Sequence, residues 1–109
     1  MPSKKISLPD INPIGEIDLT IHAPARLLIL TFLAAVESTD FTFLLNQTQL
    51  TRGNLSTHLK RLEDDGYITV QKEFIDRIPR SLYKLTSNGK GAIVKYCETI
   101  QKVIDQLAN

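Results

Sequence analysis

The chain has 109 residues, 13 Lys and Arg against 12 Asp and Glu, and a formal net charge of +1. That length sustains one modest core, and the near-neutral balance excludes any argument for nucleic acid from overall charge, leaving only local patches to make it. The lone cysteine, Cys97, excludes an internal disulfide framework and fits a reducing, cytoplasmic setting.

The most apolar run, LLILTFLAAV at 27–36, is far shorter than the roughly 20 residues a bilayer-spanning helix needs. No long apolar stretch follows Lys4 and Lys5, as a signal peptide would require. The expectation is therefore a protein with no membrane partner.

Residues 1–18 contain Pro2, Pro9, Pro13 and Gly15. Proline lacks the N–H that a helix or sheet uses, so this stretch reads as an extended N-terminal arm with a short turn. Residues 19–109 read as one domain. HAPARLLILTFLAAVE begins a helix with Pro24 in its first turn, where the missing donor costs nothing. Its leucines and alanines leave almost no polar face, which predicts a central, buried helix.

STD at 38–40 is a break that offers an N-cap. FTFLLNQTQ follows as a short helix anchored by Phe41, Leu44 and Leu45. After a turn at Leu50, Thr51 caps a third helix over 52–65, which Gly66 ends. YITVQKEF (67–74) and SLYKLT (81–86) are β-branched or alternating and predict a hairpin whose loop is 75–80. A last long helix runs over about 87–108. The order is helix, helix, helix, hairpin, helix: a mainly α protein with a small β-hairpin, of α+β class.

The third helix carries the chemistry. On a wheel turning about 100° per residue, Leu55, Leu59 and Leu62 fall together. Gly53, Asn54, Thr57, Lys60 and Arg61 fall opposite, with Arg52 and Ser56 between the faces. Such a face suits a helix entering the DNA major groove. Gly53 permits close approach; Asn54 and Thr57 can meet base edges, Asn matching adenine and Thr meeting a thymine methyl group. Lys60, Arg61 and the helix N-terminus suit phosphates. A solvated face is the plainer explanation of polar residues, but acidic residues are absent from 51–62 and cluster only at Glu63, Asp64 and Asp65. The hairpin loop also carries Arg77 and Arg80 around Pro79, placed to reach the backbone or minor groove as a basic wing. Together these features predict a winged helix-turn-helix.

The segments IHAPARLLIL, DFTFLL, GNLSTHLKRLEDDGYI and RIPRSLYKLTSNGKGA resemble the MarR-like and ArsR-like winged-helix transcriptional regulators, most closely the small group of winged helix DNA-binding domains. The resemblance covers about residue 17 to the end. It implies a homodimer that binds double-stranded operator DNA. By position it implies a DNA-reading role for Asn54, Ser56, Thr57, Lys60 and Arg61, and a wing role for Arg77 and Arg80. This chain departs from the family pattern in three places. Arg52 stands where an acidic residue is common, Thr48 where leucine is common, and Phe43 where a polar residue is common. Arg52 should add phosphate attraction, and Phe43 is either an interface aromatic or a core residue.

In the last helix Ile93, Tyr96, Ile100, Val103, Ile104 and Leu107 line one side. This stripe is longer than a small core can cover, and with the arm it forms the expected dimer seam. Two histidines and one cysteine have no metal-site spacing. His22 reads as structural, His58 as packing or a phosphate contact, and Cys97 as an inert, partly buried thiol. Successive carboxylates at 63–65 diverge around the helix and do not converge on one ion. GKG at 89–91 lacks the spacing of a phosphate loop. No nucleophile, base and oxyanion set is discernible, so neither an enzyme nor a cofactor is expected; an effector ligand is undefined. The rival from another class is a winged helix that binds protein inside a larger complex.

Overall fold

The computed structural model describes residues 7–108; residues 1–6 of the expected arm and residue 109 lie outside the described range. The elements are α1 (Asn12–Gly15), α2 (Pro24–Ala34), β1 (Thr39–Asp40), α3 (Phe41–Thr48), α4 (Arg52–Asp64), β2 (Ile68–Ile75), β3 (Ile78–Leu85) and α5 (Ser87–Leu107). The strands form one antiparallel sheet in the order β1-β3-β2. The α+β class and the helix–helix–helix–hairpin–helix order follow the sequence, with two additions. The arm contains a helical turn, α1, that packs on α5. The break before α3 is also a strand.

That second addition comes from a double use of Asp40. Its side chain caps α3, accepting from the Phe43 N–H at 2.8 Å. Its backbone meanwhile pairs beside Leu82, as that of Thr39 does beside Tyr83. On α3, Leu44 is buried and Phe41 and Leu45 pack half-buried against the core. Thr48, standing where leucine is common, is buried and its hydroxyl donates to the Leu44 carbonyl at 2.7 Å. Gln49, with φ of 59°, ends the helix in the left-handed region and turns the chain toward α4. Thr51 caps α4 as expected, accepting from the Asn54 N–H at 3.1 Å.

Two expectations need correction. First, α2 is not buried all round: Ile29, Leu30 and Leu33 enter the core, while Leu28, Thr31 and Ala34 are exposed. Among the described residues no further layer covers its outer side. Second, 75–80 is not a loop. Pairing continues to Ile75 opposite Ile78, leaving a two-residue turn at Asp76-Arg77. Both turn residues have positive φ, 49° and 67°, the backbone of a type I′ hairpin turn, whose twist matches the strands. Pro79 is tolerated in β3 because residues flanking such a turn alternate between inward and outward backbone groups. Beside Phe74, its missing N–H faces the outer edge, beyond the reach of two-residue β1.

The core joins Ile21, Ile29, Leu33, Leu44, Leu55, Leu62 and Ile68, all essentially inaccessible. Polar ties then seat α4 against the segment preceding α2. Arg26 donates to the Leu19 and Thr20 carbonyls and approaches His58 Nδ1 at 3.1 Å. Thr20 hydrogen-bonds Asp65, and Arg61 donates to Thr20 Oγ1 at 3.0 Å and to Asp65 at 3.2 Å. The Thr20 hydroxyl is the main reason the Asp65 carboxyl sits below its usual pKa, assisted by Arg61. Tyr67 donates to Asp18, which with burial pushes its phenol up to about 12.

The close join between hairpin and α5 rests on Gly89. A Cβ there would lie 2.2 Å from the Tyr67 carbonyl oxygen, whereas at Gly91 nothing lies within 4 Å. Gly89→Ala should therefore lower the melting temperature by roughly 10 °C or more, as for a core backbone clash of about 2 kcal/mol. Gly91→Ala should raise stability by about 0.5–1 kcal/mol through helix propensity. Thermal melts of the two variants side by side test this contrast.

A pH dependence follows from His58. Burial first and the Arg26 charge second hold its pKa below the usual value. Arginine can only donate, so its approach to His58 Nδ1 favours the neutral ring. A depressed folded pKa means that this stability is present above the unfolded value of about 6.5 and is lost as pH falls below it. Replacing His58 by Gln should make stability flatter between about pH 7.5 and 5.5 than in wild type, measured by denaturant titration at each pH.

Candidate nucleic-acid interface

Burial of Leu55, Leu59 and Leu62 turns the opposite side of α4 outward. Arg52, Gly53, Asn54, Ser56, Thr57, Lys60 and Arg61 are all exposed, as are Arg77 and Arg80 on the hairpin. The candidate DNA-reading residues fall in two groups, and one groove brings Arg52 and Ser56 of the first beside Arg80 of the second. The first group is the N-terminal half of α4. Among the described residues nothing beyond α4's own backbone and the adjoining residues lies within 4 Å of the Cβ position of Gly53, so their packing does not call for glycine at that point. Glycine in a helix interior costs about 1 kcal/mol relative to alanine; at the second residue of α4 it leaves the backbone open to close approach. Thr57 donates its hydroxyl to the Gly53 carbonyl at 2.9 Å. Its outward chemistry is therefore chiefly its methyl group and oxygen lone pairs.

The three strong cations of α4 differ in how they are held. Arg52 stacks over the Phe41 ring at 5.8 Å and has no carboxylate partner among the described residues. Lys60 pairs with Asp64 at 2.8 Å, which raises its pKa, but both side chains are more than half exposed. Such a surface pair is worth little, so exchange of Asp64 for a phosphate is cheap. Arg61 is engaged by Asp65 and Thr20, which places it as a brace between α4 and the N-terminal segment.

The second group is the wing. Arg77 occupies its turn and is exposed. Arg80 sits lower, 3.2 Å from Glu73 across the hairpin and 3.8 Å from Asp40. An open groove of about 560 Å³ separates α4 from the wing, with Arg52 and Ser56 on one bank and Ile78, Pro79 and Arg80 on the other.

The structure divides the candidate seam residues of α5. Ile93, Tyr96 and Ile100 pack against the chain's own core. Tyr96 is buried, raising its phenol pKa, and its hydroxyl meets His22 Nδ1 at 2.8 Å. The structural part for His22 is thus a tie between α5 and the segment before α2. Val103, Ile104 and Leu107 lie beyond, and Leu107 is 81% exposed. There the arm joins them: Gln106 donates to the Asp10 carbonyl and accepts from the Asp10 N–H, both at 2.6 Å. Val103, Leu107, Ile11 and Ile14 border one shallow apolar depression. Cys97 is exposed, not partly buried, because one residue past Tyr96 is a turn of about 100° off the packed stripe.

Sequence reasoning missed the Gln106 clasp and the Arg61 brace, which join residues 96 and 41 positions apart. Phe43 falls between its two expected roles. It is 37% exposed and meets Phe32 edge-on with centroids 6.2 Å apart. Among the described residues no group of three His, Cys, Asp or Glu could hold a metal ion, and no helix is long and apolar enough to cross a membrane.

Comparison with known proteins accords with this geometry. The model of the family described as winged helix DNA-binding domain matches residues 25–104. An uncharacterised protein of Methanocaldococcus jannaschii is 35% identical over 75 residues, which span 69% of this chain and 82% of the relative. A transcriptional regulator homologue of Pyrococcus horikoshii OT3 superposes with a TM-score of 0.81 at 30% identity, covering 88% of this chain and 97% of the other. A MarR-family putative regulator of Enterococcus faecalis V583 shares the fold at a TM-score of 0.68 and 19% identity, over 97% of this chain and 98% of its own. The α4 face, the hairpin beside it and these matches together establish that the chain belongs to the winged helix DNA-binding domain family and has a MarR-like fold.

Proposed function

We propose that this chain is a transcriptional regulator that binds double-stranded DNA sequence-specifically as a homodimer. In this reading α4 enters the major groove and the wing lies on the backbone or in the minor groove. The observation that carries it is the outward face of α4. Five exposed residues from Arg52 to Lys60 surround a glycine that the protein's own packing does not require. Asn54, Ser56 and Thr57 meet base edges, and Arg52 and Lys60 meet phosphates. Arg61 and Arg80 support the interface chiefly by holding α4 and the wing in place.

Shape supports the dimer. The chain measures 68 × 26 × 21 Å with a radius of gyration of 17.7 Å, whereas a compact domain of this length has about 13 Å. The outer part of α5 and the arm leave Leu8, Ile11, Ile14, Ile104 and Leu107 exposed. Apolar surface concentrated in this way marks an association site. Pairing two copies along it covers the patch and can set the two α4 helices about 34 Å apart, one turn of DNA. The wider function, control of transcription, rests on the kinship with regulators described above.

Fluorescence anisotropy against a randomised duplex pool, at two salt concentrations, tests the DNA reading. Arg52→Glu should weaken binding by roughly tenfold or more and flatten its salt dependence. Asn54→Ala should chiefly relax sequence preference at one base pair. Binding that is insensitive to Arg52→Glu would remove the proposed face.

For the dimer, Ile104→Asp is the informative substitution, since Ile100 packs on the core and a charge there would unfold the protomer itself. Light scattering should report half the wild-type mass for Ile104→Asp with helix content preserved. An unchanged mass would move the seam elsewhere.

A further inference from the structure

The wing tip has the wrong chemistry for an electrostatic arm. Phe74 is 74% exposed, Ile78 67% and Ile75 44%. Phe74 stands opposite Pro79, and Ile75 opposite Ile78, so apolar side chains occupy both faces of the last two rungs before the turn. Glu73 and Asp76 offset Arg77 and Arg80 in charge. Glu73 also engages Arg80 directly. The tip is therefore close to neutral and strongly apolar, with Arg77 as its one cation without a carboxylate partner among the described residues. Scattered exposed apolar residues are ordinary, but several together at the end of a two-stranded hairpin mark a contact.

We infer that the wing is an apolar wedge for the DNA minor groove, in which Phe74 inserts at a base step beside the sequence read by α4 and partly unstacks it. This inference rests on the DNA-reading proposal above. Continuity identifies the occupant: the groove that begins at Arg52 and Ser56 on α4 ends at Ile78 and Pro79 on the wing. Whatever α4 grips must pass the tip. Lys72 and Arg77, both exposed on the same hairpin, supply cations for the phosphates on either side. An unperturbed minor groove is about 6 Å wide. A hairpin with side chains on both faces is wider, so seating it opens the groove and bends the duplex toward the major groove, as apolar minor-groove wedges do. Ile75 and Ile78 then pack against the sugars. The turn at Asp76-Arg77 keeps the tip only two residues long, so Phe74 and Pro79 lie close behind the leading edge.

The test uses the full-length protein and a duplex selected by it from a randomised pool, carrying 2-aminopurine at successive flanking steps. Loss of stacking brightens this base. Wild type should raise its emission several-fold at one flanking step and shorten the end-to-end distance read by energy transfer. Phe74→Ala combined with Ile78→Ala should abolish both signals and weaken binding about tenfold while keeping the selected sequence. Phe74→Leu should retain most of the bend. The substituted side chains are exposed, and an unchanged melting temperature verifies the fold. If wild type binds without brightening, or the double variant bends DNA as wild type does, the wedge is overturned and the α4 reading stands. Loss of the tip residues with no change in DNA affinity would assign the tip to a protein partner and also overturn it. Absence of binding to any duplex by wild type would overturn both readings.

Discussion

Everything the outer surface offers depends on the rotation of one helix about its own axis. Leu55, Leu59 and Leu62 fix it. A turn of α4 by one residue would move its stripe by about 100° and expose leucines in place of Asn54 and Thr57. Fully burying a leucine is worth about 1.5–3 kcal/mol, so three such side chains hold the rotation far more firmly than any ion pair on the polar side. The Thr51 cap sets where the helix begins, and Gly66, with φ of +78°, sets where it stops. Between these limits the polar residues keep a fixed order, from small and hydrogen-bonding at the N-terminal end to cationic in the middle.

Seating is a separate matter from rotation. The segment before α2 reaches α4 through Thr20 and the start of β2 through Asp18 and Tyr67, while Arg26 of α2 reaches α4 at His58. Individually these contacts are modest. Collectively they connect the helix, the hairpin and the chain leading to the arm by polar groups that have partners: among the described residues no buried side-chain nitrogen or oxygen lacks one. Partnered networks of this kind favour one arrangement over near neighbours. The same segment continues into α1 on α5, so the proposed dimer seam and the reading helix share one stretch of backbone.

Much of this was legible in the residues because it is local. The leucine stripe, the Thr51 cap, the glycine stop and the proline start of α2 each need only a few neighbours to be read. The exposed face of α4 was legible for the same reason, being the complement of the stripe. What escaped depended on distant partners. A two-residue strand such as β1 has no pattern of its own and exists because Tyr83 and Leu82 lie beside it. Pro79 suggested a loop, since its permission to sit in a strand depends on how far the neighbouring strand extends. The sequence offers Arg61 as a phosphate ligand but carries no sign of Thr20, the partner 41 positions away to which it donates. The α5 stripe announced burial without saying by what, and the fold assigns Ile93, Tyr96 and Ile100 to the chain's own core.

The clasp at Gln106 has a consequence for how the arm tolerates change. A glutamine amide can present an N–H donor beside a carbonyl acceptor, the same pair that a peptide unit presents to a neighbouring strand. Gln106 therefore grips Asp10 by its main chain at both atoms, indifferent to the side chain at that position. The grip constrains spacing: the chain between residue 10 and buried Ile21 must span a fixed gap. Substitutions in the arm that keep an N–H at position 10 leave the clasp intact. An insertion or deletion between these two anchors would shift the register of α1 on α5 and re-aim the apolar side chains it displays.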